Sequence, residues 1–349
     1  MKSKIFTIIT ILALVIGFGL VFVSTQKTII EISSTGEVNE DLTSARARTI
    51  EEYQQEIKRL EESQKIYHIL VGGDIMLDRG VESKILAVGG GDWTFPWKNI
   101  GEDFRNADIA FANFEGSMSN VGSDTGKKYS FRFNTEAVKG LEYAGFDVVS
   151  LANNHMLDWG RESLCETTKN LESAGVGYIG AGCNAQQANT PYIADLGDTK
   201  VAFIGYTTFY EGAHATDERA GITELDREKM KQTIRDLKAS GVDVVLLSMH
   251  WGIEYDTRSS KREQDFAHEL VDAGLDVLVG HHPHVAQEIE RYKDGWIIYS
   301  LGNLVFDQYF SEETMQGLLA DIQIQNGRVY DIQPKKIQLN ADYQPEIVE

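Results

Sequence analysis

With 349 residues, 42% hydrophobic and 25% charged, the chain has enough apolar material to bury one large core or two small ones. Its formal net charge of −20 excludes nucleic acid as a partner class, because phosphate binding needs a basic face. It also works against any polyanionic ligand unless metal cations or a local basic patch reverse the field. The two cysteines, Cys165 and Cys183, are too few for a disulfide framework or a four-thiolate zinc site. A bridge between them is disfavoured, since Cys165 falls in a predicted helix.

Ile5 to Val23 is uncharged and almost wholly apolar, and 19 residues at helical rise span roughly 28 Å, close to the hydrocarbon thickness of a bilayer. Lys2 and Lys4 precede this run, and Lys27 is the nearest positive charge after it. The positive-inside bias then places the N-terminus in the cytoplasm and the rest outside. A cleaved signal peptide is the competing reading. Val21-Phe22-Val23-Ser24-Thr25 lacks a clear pair of small residues for cleavage, which favours an uncleaved anchor over residues 1–24. Residues 25–65 are polar, and Ile50, Tyr53, Ile57 and Leu60 recur at helical spacing among charges, predicting a solvated amphipathic stalk.

A compact domain is expected over residues 66–349. Tyr67 to Val71 reads as a buried strand broken by Gly72-Gly73-Asp74. Strands follow at Asp108 to Asn113, Asp147 to Leu151, Val176 to Ile179, Val201 to Tyr206, Val242 to Met249, Leu275 to Val279, Trp296 to Tyr299 and Gly317 to Ile324. Helices are expected at Thr135 to Ala144, Arg161 to Ala174, Asp226 to Ala239 and Lys261 to Ala273. This alternation predicts a layered α/β fold, β-sheets flanked by helices, with a substantial parallel component.

The polar residues follow the strands. Asp74 follows the first, Asn113 and Glu115 end the second, and Asn153-Asn154-His155 ends the third. His250 ends a later strand, and His281-His282-Pro283-His284 ends another. Ligands of open α/β sheets bind outside the carboxyl ends of strands, so five strand ends deliver acids, amides and imidazoles to one edge. Five of the eight histidines lie in these blocks. Carboxylate, amide and imidazole without thiolate suit a divalent metal such as Mn, Zn, Fe or Mg. Gly89-Gly90-Gly91 lacks the Lys-Ser/Thr of a phosphate loop. Trp93, Phe95 and Trp97 read as packing. Lys127, Lys128 and Arg132 form a small basic cluster that reads first as a solvated loop, with a polyanion contact as the alternative.

The ordered blocks Gly-Gly-Asp74-Ile-Met-Leu, Asn113-Phe-Glu115, Ala-Asn-Asn154-His155, His250-Trp-Gly, Gly280-His281-His-Pro-His284 and Tyr299-Ser-Leu-Gly-Asn303-Leu-Val-Phe-Asp307-Gln resemble the CapA (PgsA-like) capsule-protein family over about residues 66 to 325. The resemblance implies a domain like the calcineurin-type metallophosphoesterases. It also implies a role in poly-γ-glutamate synthesis or export, with the polymer, its membrane synthase complex and the membrane as partners. By the same resemblance Asp74, Glu115, Asn154, His250, His282 and His284 are metal ligands, with Glu115 bridging, and His155 is the acid for a leaving group. Two differences stand out. Asp74-Ile75-Met76 replaces the usual Asp-x-His, and Asn113-Phe-Glu115 replaces Gly-Asp, so one metal site has lost a ligand. Two further readings stay open: a metal-dependent hydrolase unrelated to capsule, and a non-catalytic scaffold of a polymer-synthesis complex.

Overall fold

The computed structural model describes residues 51–55, 65–209 and 212–348, and the apolar N-terminal run and most of the stalk lie outside these. Residues 51–55 are helical. Among the described residues no helix is long and apolar enough to cross a membrane. The chain divides into the units Met1–Ile57 and Lys58–Glu349, and the second carries the fold described below.

Two sheets form its centre. The first has eight strands, in the order Pro345–Val348, Arg328–Leu339, Gln316–Gln325, Tyr67–Ile75, Ile109–Phe114, Val148–Ser150 and Gly177–Ile179, with Asn303–Val305 also paired to Tyr67–Ile75. The second has six, in the order Ile289–Tyr292, Gly295–Ile298, Val277–His281, Val244–His250, Lys200–Thr207 and Tyr192–Asp195. The strands that carry site residues run parallel to one another within each sheet. Their C-terminal ends therefore lie on a common edge of each sheet.

Strand alternation sends successive side chains to opposite faces. Ile69, Val71, Phe111, Val201, Phe203, Val244, Leu246, Val277 and Val279 pack together between the sheets. Their neighbours Val245, Leu247 and Leu278 point the other way, onto Met230, Ile234, Phe266 and Leu270 of the helices Arg227–Ala239 and Lys261–Asp272. On the first sheet, Leu70, Ala110, Ala112 and Val149 meet Leu141, Leu164 and Leu171 from Val138–Ala144 and Gly160–Ser173. The architecture is thus helix, sheet, sheet, helix. Strands buried on both faces explain the near-continuous apolar runs.

Helix ends follow the local chemistry. Asp226 caps its helix by accepting from the N–H groups of Glu228 and Lys229, and Ser260 with Glu263 forms a reciprocal capping box. The expected helix from Thr135 is 3-10 over Thr135–Ala137 before it becomes α-helical. Trp93, Phe95 and Trp97 are buried in the helix-side core, as packing residues should be.

The expectation about the cysteines fails. Cys165 and Cys183 form a disulfide, with Cα atoms 5.3 Å apart. A helical cysteine is no obstacle, because the strand Ala181–Gly182 packs beside the helix Gly160–Ser173 and presents the next residue to its flank.

Candidate metal centre

Backbone proximity builds the site. A Cβ on Gly73 would lie 1.9 Å from the Gly302 carbonyl oxygen, and one on Gly280 would lie 1.8 Å from the Tyr299 carbonyl oxygen. Only glycine permits these approaches. They bring the Gly-Gly-Asp, Gly-His-His-Pro-His and Ser-Leu-Gly-Asn blocks together. His282 and His284 then adopt φ of 97° and 58°, a region non-glycine residues rarely occupy. Such strain costs about 1–3 kcal/mol per residue and persists where surrounding structure holds it, often at functional sites.

Asp74, Asn113, Glu115 and His250 are fully buried, and His155, His281, His282 and His284 are nearly so. Asn113 donates from one amide nitrogen to Asp74 Oδ1 at 2.8 Å and to Glu115 Oε2 at 3.2 Å. Its own oxygen accepts from Asn153 at 3.2 Å, which fixes the amide orientation. Asn113 therefore bridges two neighbouring carboxyl groups as a donor, a role an aspartate could not fill. Asp74 also accepts from the His282 N–H at 3.2 Å and lies 3.2 Å from His281 Nδ1 and 3.3 Å from His284 Nδ1. Asn154 Oδ1 is 2.8 Å from His250 Nε2, which is 3.1 Å from His282 Nδ1. Asn303 donates to the Thr314 carbonyl at 2.9 Å and so turns its oxygen to His284 Nδ1 at 3.0 Å.

Met76, at the position of the absent histidine, is buried in the core, and its sulfur accepts from the Asp78 N–H at 3.2 Å. It takes no part in the polar cluster. Asp307 is engaged elsewhere, accepting from Gly80 N–H at 2.9 Å and pairing with Arg79.

Burial and charge pull the groups apart. Burial acts to raise Asp74, but the adjacent His281 and His284 imidazoles outweigh it and hold the carboxyl well below its usual range. Burial and then the Asp74 charge push Glu115 well above its own. Burial keeps His250 neutral, reinforced by His282, and pushes His282 down to about 3.

Glu115 Oε1 supplies the test of fit. It is buried and, among the described residues, accepts no hydrogen bond. Three imidazole Nε2 atoms surround it at 3.7 Å (His284), 3.8 Å (His155) and 3.9 Å (His250). An orphaned buried carboxyl oxygen is costly, and a cation shared with the imidazoles removes that cost. Glu115 belongs to both groups of side chains able to share an ion: Asp74 with His250, and His282 with His284. The donor set of carboxylates and imidazoles suits a divalent transition metal.

Two residues of the site, Asp158 and Phe131, are not marked out by the sequence. Asp158, four residues beyond Asn154, lies 2.6 Å from His155 Nδ1 and accepts the Phe131 N–H at 2.9 Å. Lys127 lies 2.8 Å from the other Asp158 oxygen. Phe131 stacks on the His155 ring at 4.0 Å. The spacing Asn-His-x-x-Asp was visible, but nothing in it says that the aspartate turns back onto the histidine.

Strands that end in acids, amides and imidazoles around a buried oxygen-and-nitrogen pocket define an α/β protein with a candidate metal site. The chain belongs to the family described as bacterial capsule synthesis protein PGA_cap, which it matches over residues 68–308. It is 35% identical over 286 residues to the capsule biosynthesis protein CapA of Bacillus anthracis, covering 79% of this chain and 69% of that protein. It is also 35% identical over 247 residues to the PGA biosynthesis protein CapA of Bacillus subtilis (strain 168), covering 68% of this chain and 62% of that protein. A calcineurin-like phosphoesterase of Bacillus subtilis superposes with a TM-score of 0.43 at 15% identity, over 80% of this chain and 92% of the other.

Proposed function

We propose that the chain is a metal-dependent component of poly-γ-glutamate capsule production, held at the outer face of the cell membrane. The observation that carries the metal is Glu115 Oε1, buried without a donor among three imidazoles. The capsule role draws on family membership and on relatives named for capsule and PGA biosynthesis. Support for an exterior location comes from the Cys165–Cys183 bridge, since disulfides persist in oxidising compartments, and from the apolar run at residues 5–23.

In this reading Asp74, Glu115, Asn154, His250, His282 and His284 hold one or two divalent ions. A bound metal supplies Lewis acidity and an activated water for hydrolysis or transfer at an ester or amide group. Asp158 holds the His155 Nδ1 proton, so Nε2 faces the centre and can deliver a proton to a leaving group.

The test is polymer yield in a host that makes the polymer. His155→Ala should keep its metal and lose only a few degrees of melting temperature, yet lose about 10²–10⁴-fold in rate, the usual loss for a missing general acid. Normal yield from both His155→Ala and Glu115→Gln would replace this reading with the non-catalytic scaffold. A host that makes no such polymer would favour the unrelated hydrolase.

A further inference from the structure

Two clefts open beside the metal-binding residues, and they meet at Asn154-His155. The larger, about 550 Å³, is lined by Lys127, Asn153, Asn154, Thr208, Phe209 and Ile222 among others. The smaller, about 320 Å³, is lined by Arg79, His155, Tyr255, His284, Asp307 and Phe310 among others. Asn154 faces one cleft and its neighbour His155 the other. In the same way Phe209, 4.2 Å from the His282 ring, faces the first, while Tyr255, 6.3 Å from the His284 ring, faces the second. A ligand reaching the centre can therefore extend away from it in two directions.

The two clefts differ in chemistry. Lys127 is the one charged side chain among the described residues of the larger cleft. An ammonium has three donors. The Asn154 carbonyl accepts from one of them, Asp158 sits 2.8 Å away as an ion-pair partner, and the side chain is 45% exposed, so a donor is available to an incoming anion. In the smaller cleft Arg79 is already paired with Asp307, and Glu254 adds a further negative charge. Its lip is instead aromatic: Tyr129, Tyr255 and Phe310 are 51%, 42% and 62% exposed. Such rings cover methylene groups well, and beside Asp307 and Glu254 the cleft's net charge disfavours a second carboxylate.

We propose that the metal centre takes the interior of a carboxylate-bearing chain rather than its end. One unit's carboxylate sits on Lys127 in the larger cleft, and the aliphatic stretch of the neighbouring unit lies on Tyr255 and Phe310 in the smaller. A γ-linked glutamate chain has this alternation of carboxylate and methylene, and the inference rests on the capsule-polymer reading. It also explains how a chain of net charge −20 receives a polyanion: the positive field is local, from Lys127 and the metal.

The experiment measures binding of γ-linked glutamate oligomers of increasing length to the full-length chain loaded with Mn²⁺, by fluorescence anisotropy. Affinity should rise with length until both clefts are filled and then level off. Lys127→Gln should weaken the long oligomers about tenfold, the loss of one charge-assisted hydrogen bond. Thr208→Trp, at an exposed position that leaves every metal-binding residue in place, should reduce long oligomers to the affinity of short ones. Affinity independent of length, long-oligomer binding unchanged in both variants, or no binding to the metal-loaded chain would each overturn the proposal. The capsule reading fails separately, by normal polymer yield from His155→Ala and Glu115→Gln.

Discussion

Asp158→Asn isolates the partner of His155 with little change of shape. Asp158 is fully buried and serves three neighbours: His155 Nδ1 at 2.6 Å, the Phe131 N–H at 2.9 Å and Lys127 at 2.8 Å. An asparagine oxygen in the place of Oδ2 can still accept from both Phe131 and His155, but its NH₂ then faces the Lys127 ammonium and the negative charge beside His155 is gone. Losing a charge-assisted hydrogen bond costs about 1.5–3 kcal/mol. At ~2 °C per kcal/mol for a domain of this size, the melting temperature should fall by about 3–6 °C. The functional loss should be larger than the stability loss, because a neutral amide no longer stabilises the charged imidazolium that a proton-donating His155 must be. Polymer yield should drop toward that of His155→Ala, with metal content unchanged. The double variant Asp158→Asn/His155→Ala should be no worse than His155→Ala alone, since residues acting as a unit are not additive. Additive losses, or a variant that loses its metal, would refute the view that Asp158 acts through His155.

Two further outcomes follow from the packing and the charges. Cys183→Ser opens an 18-residue loop and should cost about 3 kcal/mol in a thermal melt, while a melt unchanged by the substitution would show that the bridge does not form. Stability after chelation of metal should peak near neutral pH. Burial and the His284 charge push His282 down to about 3, so its stabilisation is complete above the unfolded value of ~6.5 and is lost as pH falls toward 3. Burial also acts to lower His284, but Glu115 and Asp74 outweigh it and push it up to about 9, so its stabilisation is present below ~6.5 and is lost as pH climbs through 9. Chemical denaturation across pH should therefore give a maximum between these limits, and a flat or one-sided profile would contradict the charge assignment.

Much of the fold was legible because its central strands are buried on both faces. Val244–His250 and Lys200–Thr207 were visible as apolar runs to within a residue or two. The strands that escaped detection are very short, such as the buried Asn303–Val305, or edge and half-exposed ones. Arg328–Leu339 carries Lys335, Lys336 and several other exposed positions, and its regularity comes from pairing with Gln316–Gln325 rather than from hydrophobicity. Tyr192–Asp195 and Ile289–Tyr292 lie at the two edges of the second sheet for the same reason. The site was legible as a set of strand ends, since acids, amides and imidazoles that follow buried strands must find polar partners or a shared ion there. Their division of labour was not. That Asn113 spaces two carboxylates, that Asn303 orients His284, and that Asp158 turns back onto His155 are consequences of long-range proximity. The disulfide is not legible because helical periodicity around Cys165 says nothing of the strand Ala181–Gly182 that brings Cys183 beside it.

The central claim is that buried Glu115 and its imidazoles exist to hold a divalent metal. Elemental analysis of the purified full-length chain, beside Glu115→Gln and His282→Ala/His284→Ala, tests it most directly. At least one transition-metal ion per wild-type chain is predicted, with most of it lost from both variants while each remains folded by circular dichroism. A wild-type chain that stays metal-free after incubation with manganese, zinc and iron would contradict the account.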